Sequence, residues 1–180
     1  MNFVRRNGYL YIENIRKEEI KFSNLGAKEI NGNENPDHVY VLWINDQDLL
    51  EYLRNENAIV KEIPNINDPN IVRYTCQFKA YPKIRFNPRT GKDEVYPKVV
   101  LKDGNVSKRL TIEEFSAADG FYISEAFMRF HIYESDYRGT HYIPVIDELW
   151  CVTDPSVSKG GSDDDYLAAK LGADDEVPFV

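Results

Sequence analysis

Apolar and aromatic residues recur along the chain in short runs at 9–22, 39–44, 58–63, 72–86, 95–101, 121–133 and 142–152, separated by Gly, Pro, Asn and Asp. Runs of this length and punctuation predict strands. Only residues 46–56 read as a helix: Leu49, Leu50 and Leu53 form a stripe at helical spacing, and Asn45 or Asp46 can cap the first turn. Asn87-Pro88-Arg89-Thr90-Gly91-Lys92 predicts a hairpin loop between two long strands, and Asp103-Gly104 and Arg138-Gly139 mark further turns. The expected fold is mainly β with one short helix.

The run at 72–86 has the sharpest alternation. Its even positions, Val72, Tyr74, Cys76, Phe78, Ala80, Pro82, Ile84 and Phe86, form an apolar set suited to a core. The odd positions, Arg73, Thr75, Gln77, Lys79, Tyr81, Lys83 and Arg85, make the other face basic with an aromatic in its middle. If the hairpin partner keeps register, Tyr96, Lys98 and Lys102 join that face. Arg129, His131 and Tyr133 alternate in the same way against Met128, Phe130 and Ile132. Pro82 is where a bulge would flip the alternation, so parity assigns Arg73 and Lys79 more firmly than Lys83 and Arg85.

Composition changes the picture by locating charge. The chain has 180 residues, 42% of them hydrophobic, and a formal net charge of −8. One domain with a sizeable core is expected, burying about 70% of the unfolded surface. Within residues 72–109, however, Arg73, Lys79, Lys83, Arg85, Arg89, Lys92, Lys98, Lys102, Lys108 and Arg109 stand against only Asp93, Glu94 and Asp103, a local net of +7. From Asp154 onward seven acidic residues face two lysines, a net of −5. A nucleic-acid face needs local positive potential rather than a basic protein. Cations neutralise phosphates, and each base stacked on an aromatic contributes about 1–3 kcal/mol. A charged outer strand face is also what solvation and edge protection produce; the single sign, the interleaved aromatics and the cations of the loop set this one apart.

The chain divides into an expected domain at 1–154 and an acidic tail at 155–180, with a flexible Ser/Gly/Asp linker at 157–165 and a brief helix at 165–171. The tail ends in Asp174-Asp175-Glu176-Val177-Pro178-Phe179-Val180. On a flexible linker it can occupy a basic groove and compete with nucleic acid, at an effective concentration set by linker length. Solubilising disorder is the plainer account of the same composition.

The run from Tyr74 to Phe86, the hairpin, Pro97-Lys-Val-Val-Leu-Lys-Asp-Gly-Asn, Met128-Arg-Phe-His-Ile-Tyr and Val145-Ile-Asp-Glu-Leu-Trp-Cys-Val together resemble phage-encoded single-stranded DNA-binding proteins of the OB-fold type. The likeness covers most of residues 9–153 in pattern. It implies an OB-fold-like five-stranded barrel with extra hairpins that coats single-stranded DNA during replication or recombination in the host cytoplasm. It places Lys79, Tyr81 and Lys83 on the central binding strand, with Lys98 and Lys102 on its partner. It also implies that Asp174, Asp175, Glu176, Pro178 and Phe179 recruit replication or recombination proteins, with the departure that Val180 follows the Phe. The full candidate binding set is Arg73, Lys79, Tyr81, Lys83, Arg85, Arg89, Lys92, Tyr96, Lys98, Lys102, Arg129, His131 and Tyr133. DNA against RNA stays open, as does a homodimer.

Enzymatic readings find little support. His38, His131 and His141 are the only histidines and show no metal-ligand spacing, no Gly-rich phosphate loop occurs, and no cofactor is expected. The adjacent acids Asp147-Glu148 and Glu113-Glu114 would each split across two faces on strands. Cys76 and Cys151 read as reduced core thiols rather than a disulfide or zinc ligands. No run suits a signal peptide or a membrane span, so a cytoplasmic protein is expected. Two other classes compete: a phage protein that inhibits a host protein through its acidic surface, and a strand-annealing recombinase, which would call for more helix.

Overall fold

Alternation builds the central strand as expected. In β6 (Val72–Ala80), Cys76, Phe78 and Ala80 are buried while Arg73 and Gln77 face out. The structure, a computed structural model, describes residues 1–30, 32–34 and 36–156. The expected linker, brief helix and acidic tip with Asp174, Asp175, Glu176, Pro178 and Phe179 lie outside the described residues.

Twelve strands are present among the described residues. The N-terminal hairpin of β1 (Asn2–Arg6) and β2 (Tyr9–Arg16) precedes β3 (Ile20–Asn24) and β4 (His38–Trp43). Helix α1 (Gln47–Asn55) then leads to β5 (Val60–Pro64) and β6. A separate ribbon of β7 (Lys83–Asn87) and β8 (Lys92–Tyr96) follows, then β9 (Lys98–Asp103) and β10 (Val106–Arg109). A long hairpin of β11 (Ile123–Ser135) and β12 (His141–Thr153) closes the series. The main sheet runs β1-β2-β11-β12-β6-β4-β3, with β5 on β6, β9 on β12 and β10 on β9. The fold is mainly β and OB-fold-like.

Strand β12 organises the sheet. Its early part lies parallel to β6, pairing Val145 with Lys79, and its later part lies parallel to β9, pairing Glu148 with Lys98 through Val152 with Lys102. Between them the register against β11 slips, from Phe130 opposite Ile146 to Arg129 opposite Glu148. Asp147 is the extra residue of this bulge, which turns the inward face from Ile146 to Leu149 and Cys151. Asp147 and Glu148 therefore share the outer face, against the expectation that they split. Glu113 and Glu114 depart from expectation too, because they lie on a 3-10 helix (Ile112–Ala118).

Helix α1 forms where predicted. Asp46 caps it, accepting from the Leu49 amide at 3.0 Å with one oxygen and from the Phe3 amide at 2.9 Å with the other. Leu49, Leu50 and Leu53 are buried against the sheet, at about 1.5–3 kcal/mol each. Cys76 and Cys151 are free thiols in the core, and burial pushes Cys76 up to about 12.

The expected long strands are divided. Residues 9–22 break at a 3-10 turn (Lys17–Glu19), where the buried Glu19 carboxylate accepts from the Arg16 amide at 3.0 Å and from Asn45 at 3.1 Å. Residues 72–86 break after Ala80, and residues 95–101 break at Pro97. Pro82 and Pro97 offer no ladder donor, and they flank the β7–β8 ribbon at its base. Ile84 and Phe86 are consequently 65% and 64% exposed instead of joining the core. No helix among the described residues is long and apolar enough to cross a membrane.

Candidate nucleic-acid interface

The outer face of β6 forms the floor of a groove because β5 and β4 flank it while the β11–β12 hairpin rises beyond its end. Thr75, Gln77 and Lys79 lie along this floor beside Val41, with Lys21 and Phe22 from β3 and Lys61 from β5 at its margins. Tyr137 and Arg138, from the tip of the long hairpin, close the far side. The groove has a volume of 960 Å³.

A second groove, of 710 Å³, lies between the β7–β8 ribbon and the β11–β12 hairpin. Lys83, Arg85 and Tyr96 project from the ribbon, and Arg129, His131 and Tyr133 from β11 face them. Tyr81 and Ser135 line both grooves, so the two adjoin. At the junction the rings of Tyr81 and Tyr133 meet edge to face, with centroids 6.4 Å apart.

The ribbon stands in a defined place because Glu94 ties it down. Its carboxylate accepts from Asn87 at 2.8 Å, Thr90 at 3.1 Å, Tyr96 at 3.2 Å and Arg109 of β10 at 3.4 Å. These bonds, that from Asn87 foremost, hold Glu94 below the usual carboxylate range. Arg109 also donates to the Val95 carbonyl and lies over the Tyr96 ring. Glu94 is thereby occupied, and neither Lys83 nor Arg85 forms an ion pair among the described residues.

Polar side chains on the floors are differently placed from the cations on the walls. Lys79 pairs with Asp37 at 3.0 Å, Arg129 with Glu148 at 3.5 Å, and His131 Nδ1 lies 2.8 Å from Asp147. On the walls, Lys61, Lys83, Arg85 and Arg138 have no carboxylate partner among the described residues. The surface thus presents fixed, partly neutralised charge at depth and open charge at the rim. That arrangement suits a polyanion whose phosphates ride the rim while flat groups reach the tyrosines.

Of the residues expected from sequence, the structure gathers Lys79, Tyr81, Lys83, Arg85, Tyr96, Arg129, His131 and Tyr133 around the joined grooves. Arg73 shares the β6 face but lies over the Trp43 ring, 3.7 Å from its centre. Arg89 and Lys92 lie at the ribbon's turn. The expected register for Lys98 and Lys102 is corrected: β9 pairs with β12 and β10 and not with the basic strand, so both lie outside the grooves, Lys98 over Trp150. Lys21, Phe22, Lys61, Tyr137, Arg138 and Tyr142 line the first groove without having stood out in the sequence. The only local signal was the aromatic-basic pair Tyr137-Arg138 at a marked turn. No group of three or more metal-ligating side chains gathers among the described residues.

Neither a protein-family model nor a curated protein sequence matches the chain. Among solved structures, it is similar to the single-stranded DNA-binding protein from bacteriophage Enc34 in complex with single-stranded DNA. That match has 9% identity and a TM-score of 0.48, covering 84% of this chain and 89% of the other. The same phage protein in a second structure matches with 9% identity and a TM-score of 0.45, over 92% of this chain and 99% of that one. The single-stranded DNA-binding protein gp2.5 encoded by bacteriophage T7 matches with 11% identity and a TM-score of 0.39, over 84% and 93%.

Proposed function

We propose that this chain is a non-enzymatic protein that binds single-stranded DNA without sequence preference, with the strand lying along the two joined grooves and crossing Tyr81 and Tyr133. The observation that carries the proposal is the placement of rim cations, Lys61 and Arg138 on one groove and Lys83 and Arg85 on the other, around adjoining grooves that share Tyr81, with Tyr133 against it. A flexible single strand can turn its bases onto tyrosines while its phosphates meet the rim; a duplex keeps its bases stacked inside. Stacking accepts any base, hence the lack of sequence preference.

The binding domain in this proposal is residues 1–154, acting in phage replication or recombination within the host cytoplasm. The acidic residues of 155–180 compete with DNA for the basic groove and, through Asp174, Asp175, Glu176, Pro178 and Phe179, recruit partner proteins. The test is titration of a fluorescent oligo-dT and a matched duplex into the full chain across a salt series. Each phosphate contact steepens the single-strand slope by about 0.7. The single strand should bind tighter, and Lys83→Ala with Arg85→Ala should flatten the slope by about 1.4. Absence of binding at low salt would overturn the proposal and favour inhibition of a host protein through the acidic surface.

A further inference from the structure

Arg129 of β11 lies at the edge of the second groove. Past Arg129 the outer face of β11 continues onto β2, whose alternation turns Leu10 and Ile12 to the core and Tyr9 and Tyr11 outward. Arg129, a groove residue, is the cross-strand neighbour of Tyr11 and holds its guanidinium 4.9 Å from the centre of the Tyr9 ring. Tyr11 in turn lies 5.5 Å from Phe127 and 6.5 Å from Tyr9, and Arg6 stands over Tyr11 at 5.5 Å. Tyr9 is 52% exposed. Three rings, Tyr9, Tyr11 and Phe127, thus form one contact series across β2 and β11, flanked by the guanidinium groups of Arg6 on β1 and of Arg129, which already belongs to the groove.

From this we infer that the β2–β11 aromatic face is an additional stacking platform, which takes up the nucleotides of a longer single strand as they leave the second groove past Arg129. The inference rests on the proposed single-strand binding and assigns it a third segment. Each component has a role: Tyr9 offers an exposed ring to a base, Arg129 lies against that ring at the groove edge, and Arg6, paired with Glu13 at 3.0 Å, stands above Tyr11, where a phosphate can displace that exposed partner. A plain solvated strand face would place a side chain such as Lys or Thr at position 9. Here Tyr9 lies beside the Asn7-Gly8 turn of the β1–β2 hairpin, where it closes no core.

The experiment compares oligo-dT of ~8 and ~20 nucleotides, lengths within and above the span of a single OB-type site of about 4–16 nucleotides, on full-length wild type, Tyr9→Ala, Tyr9→Phe and Tyr81→Ala. Wild type should bind the longer strand more tightly than added lattice positions account for. Tyr9→Ala should lose about 5- to 20-fold on the long strand and less than about 2-fold on the short one, with Tyr9→Phe retaining both. Tyr81→Ala should lose on both lengths. Equal losses for Tyr9→Ala at both lengths, or none at either while Tyr81→Ala weakens both, overturn the platform and leave the grooves standing. Absence of binding by wild type at both lengths overturns the grooves as well. Should Tyr9→Ala unfold, Arg6→Ala reads out the same segment, as a salt slope reduced by about 0.7 on the long strand alone.

Discussion

The carboxylate of Asp37 lies 3.0 Å from the ammonium of Lys79, across 42 positions of chain. One of the two cations that strand alternation assigns most firmly to the basic face is thus already paired on the floor of the first groove. Replacing Asp37 with Asn would free Lys79 for a phosphate. Oligo-dT affinity should rise by about 2- to 5-fold at low salt, as the loss of one exposed pair allows, and the salt slope should steepen by about 0.7. An unchanged slope would show that Lys79 meets no phosphate.

Tyr81 and Tyr133 meet where the grooves join. Alanine at either position should weaken single-strand binding by about 1–3 kcal/mol, and the double variant should lose less than the sum, since the rings touch. Phenylalanine should preserve most of the affinity. A Tyr81→Phe variant as weak as Tyr81→Ala would assign the contribution to the hydroxyl and sink the stacking account.

Glu114 secures the 3-10 helix beneath β9. Burial, the largest influence, pushes its carboxyl up, but Lys108 at 3.1 Å and the Thr111 hydroxyl at 2.9 Å, together with the Thr111 amide, bring it below the ordinary value of 4.5. A group lowered in the folded state contributes stability above its unfolded value and loses it as pH falls through the lowered one. Glu114→Gln should therefore destabilise by about 1–3 kcal/mol at pH 7, with the deficit shrinking below pH 4.5. Denaturant unfolding at both pH values checks this; a deficit constant with pH would contradict it.

Phe78 and Phe86 share parity along one run but not environment. Phe78 is fully buried on β6, and Phe86 is 64% exposed on the ribbon. Phe86→Ser should change unfolding free energy by no more than about 0.5 kcal/mol, as for other surface substitutions, whereas Phe78→Ala should cost about 3–5 kcal/mol. Comparable losses for both would place the ribbon against the core.

Local chemistry made several features legible in advance. The cap at Asp46 and the stripe of Leu49, Leu50 and Leu53 depend on residues within a few positions of one another, and the alternation of β6 from Val72 to Ala80 needs only a strand with one buried face. The tyrosines and cations of 79–85 and 129–133 were visible for the same reason. The full division of the strands was not: apolar spacing reads on past Pro82, where a bulge was expected, but the strand ends at Ala80, since a residue without an amide proton cannot continue the ladder.

The amino-acid sequence by itself determined a mainly β chain, a capped helix, two buried thiols and a basic, aromatic stretch within an acidic protein, because periodicity, capping and composition act over short distances. Tertiary structure alone decided where the charges stand. Pairing β12 first with β6 and then with β9 creates the bulge that turns Asp147 and Glu148 to one face. The same arrangement leaves Lys98 and Lys102 outside the grooves, and Arg109 and Glu94 together position the ribbon that carries Lys83 and Arg85. It also brings Lys61 and Arg138 to one rim. These relationships join residues 15 or more positions apart, and strand pairing and side-chain packing select them only once the whole sheet has assembled on its core.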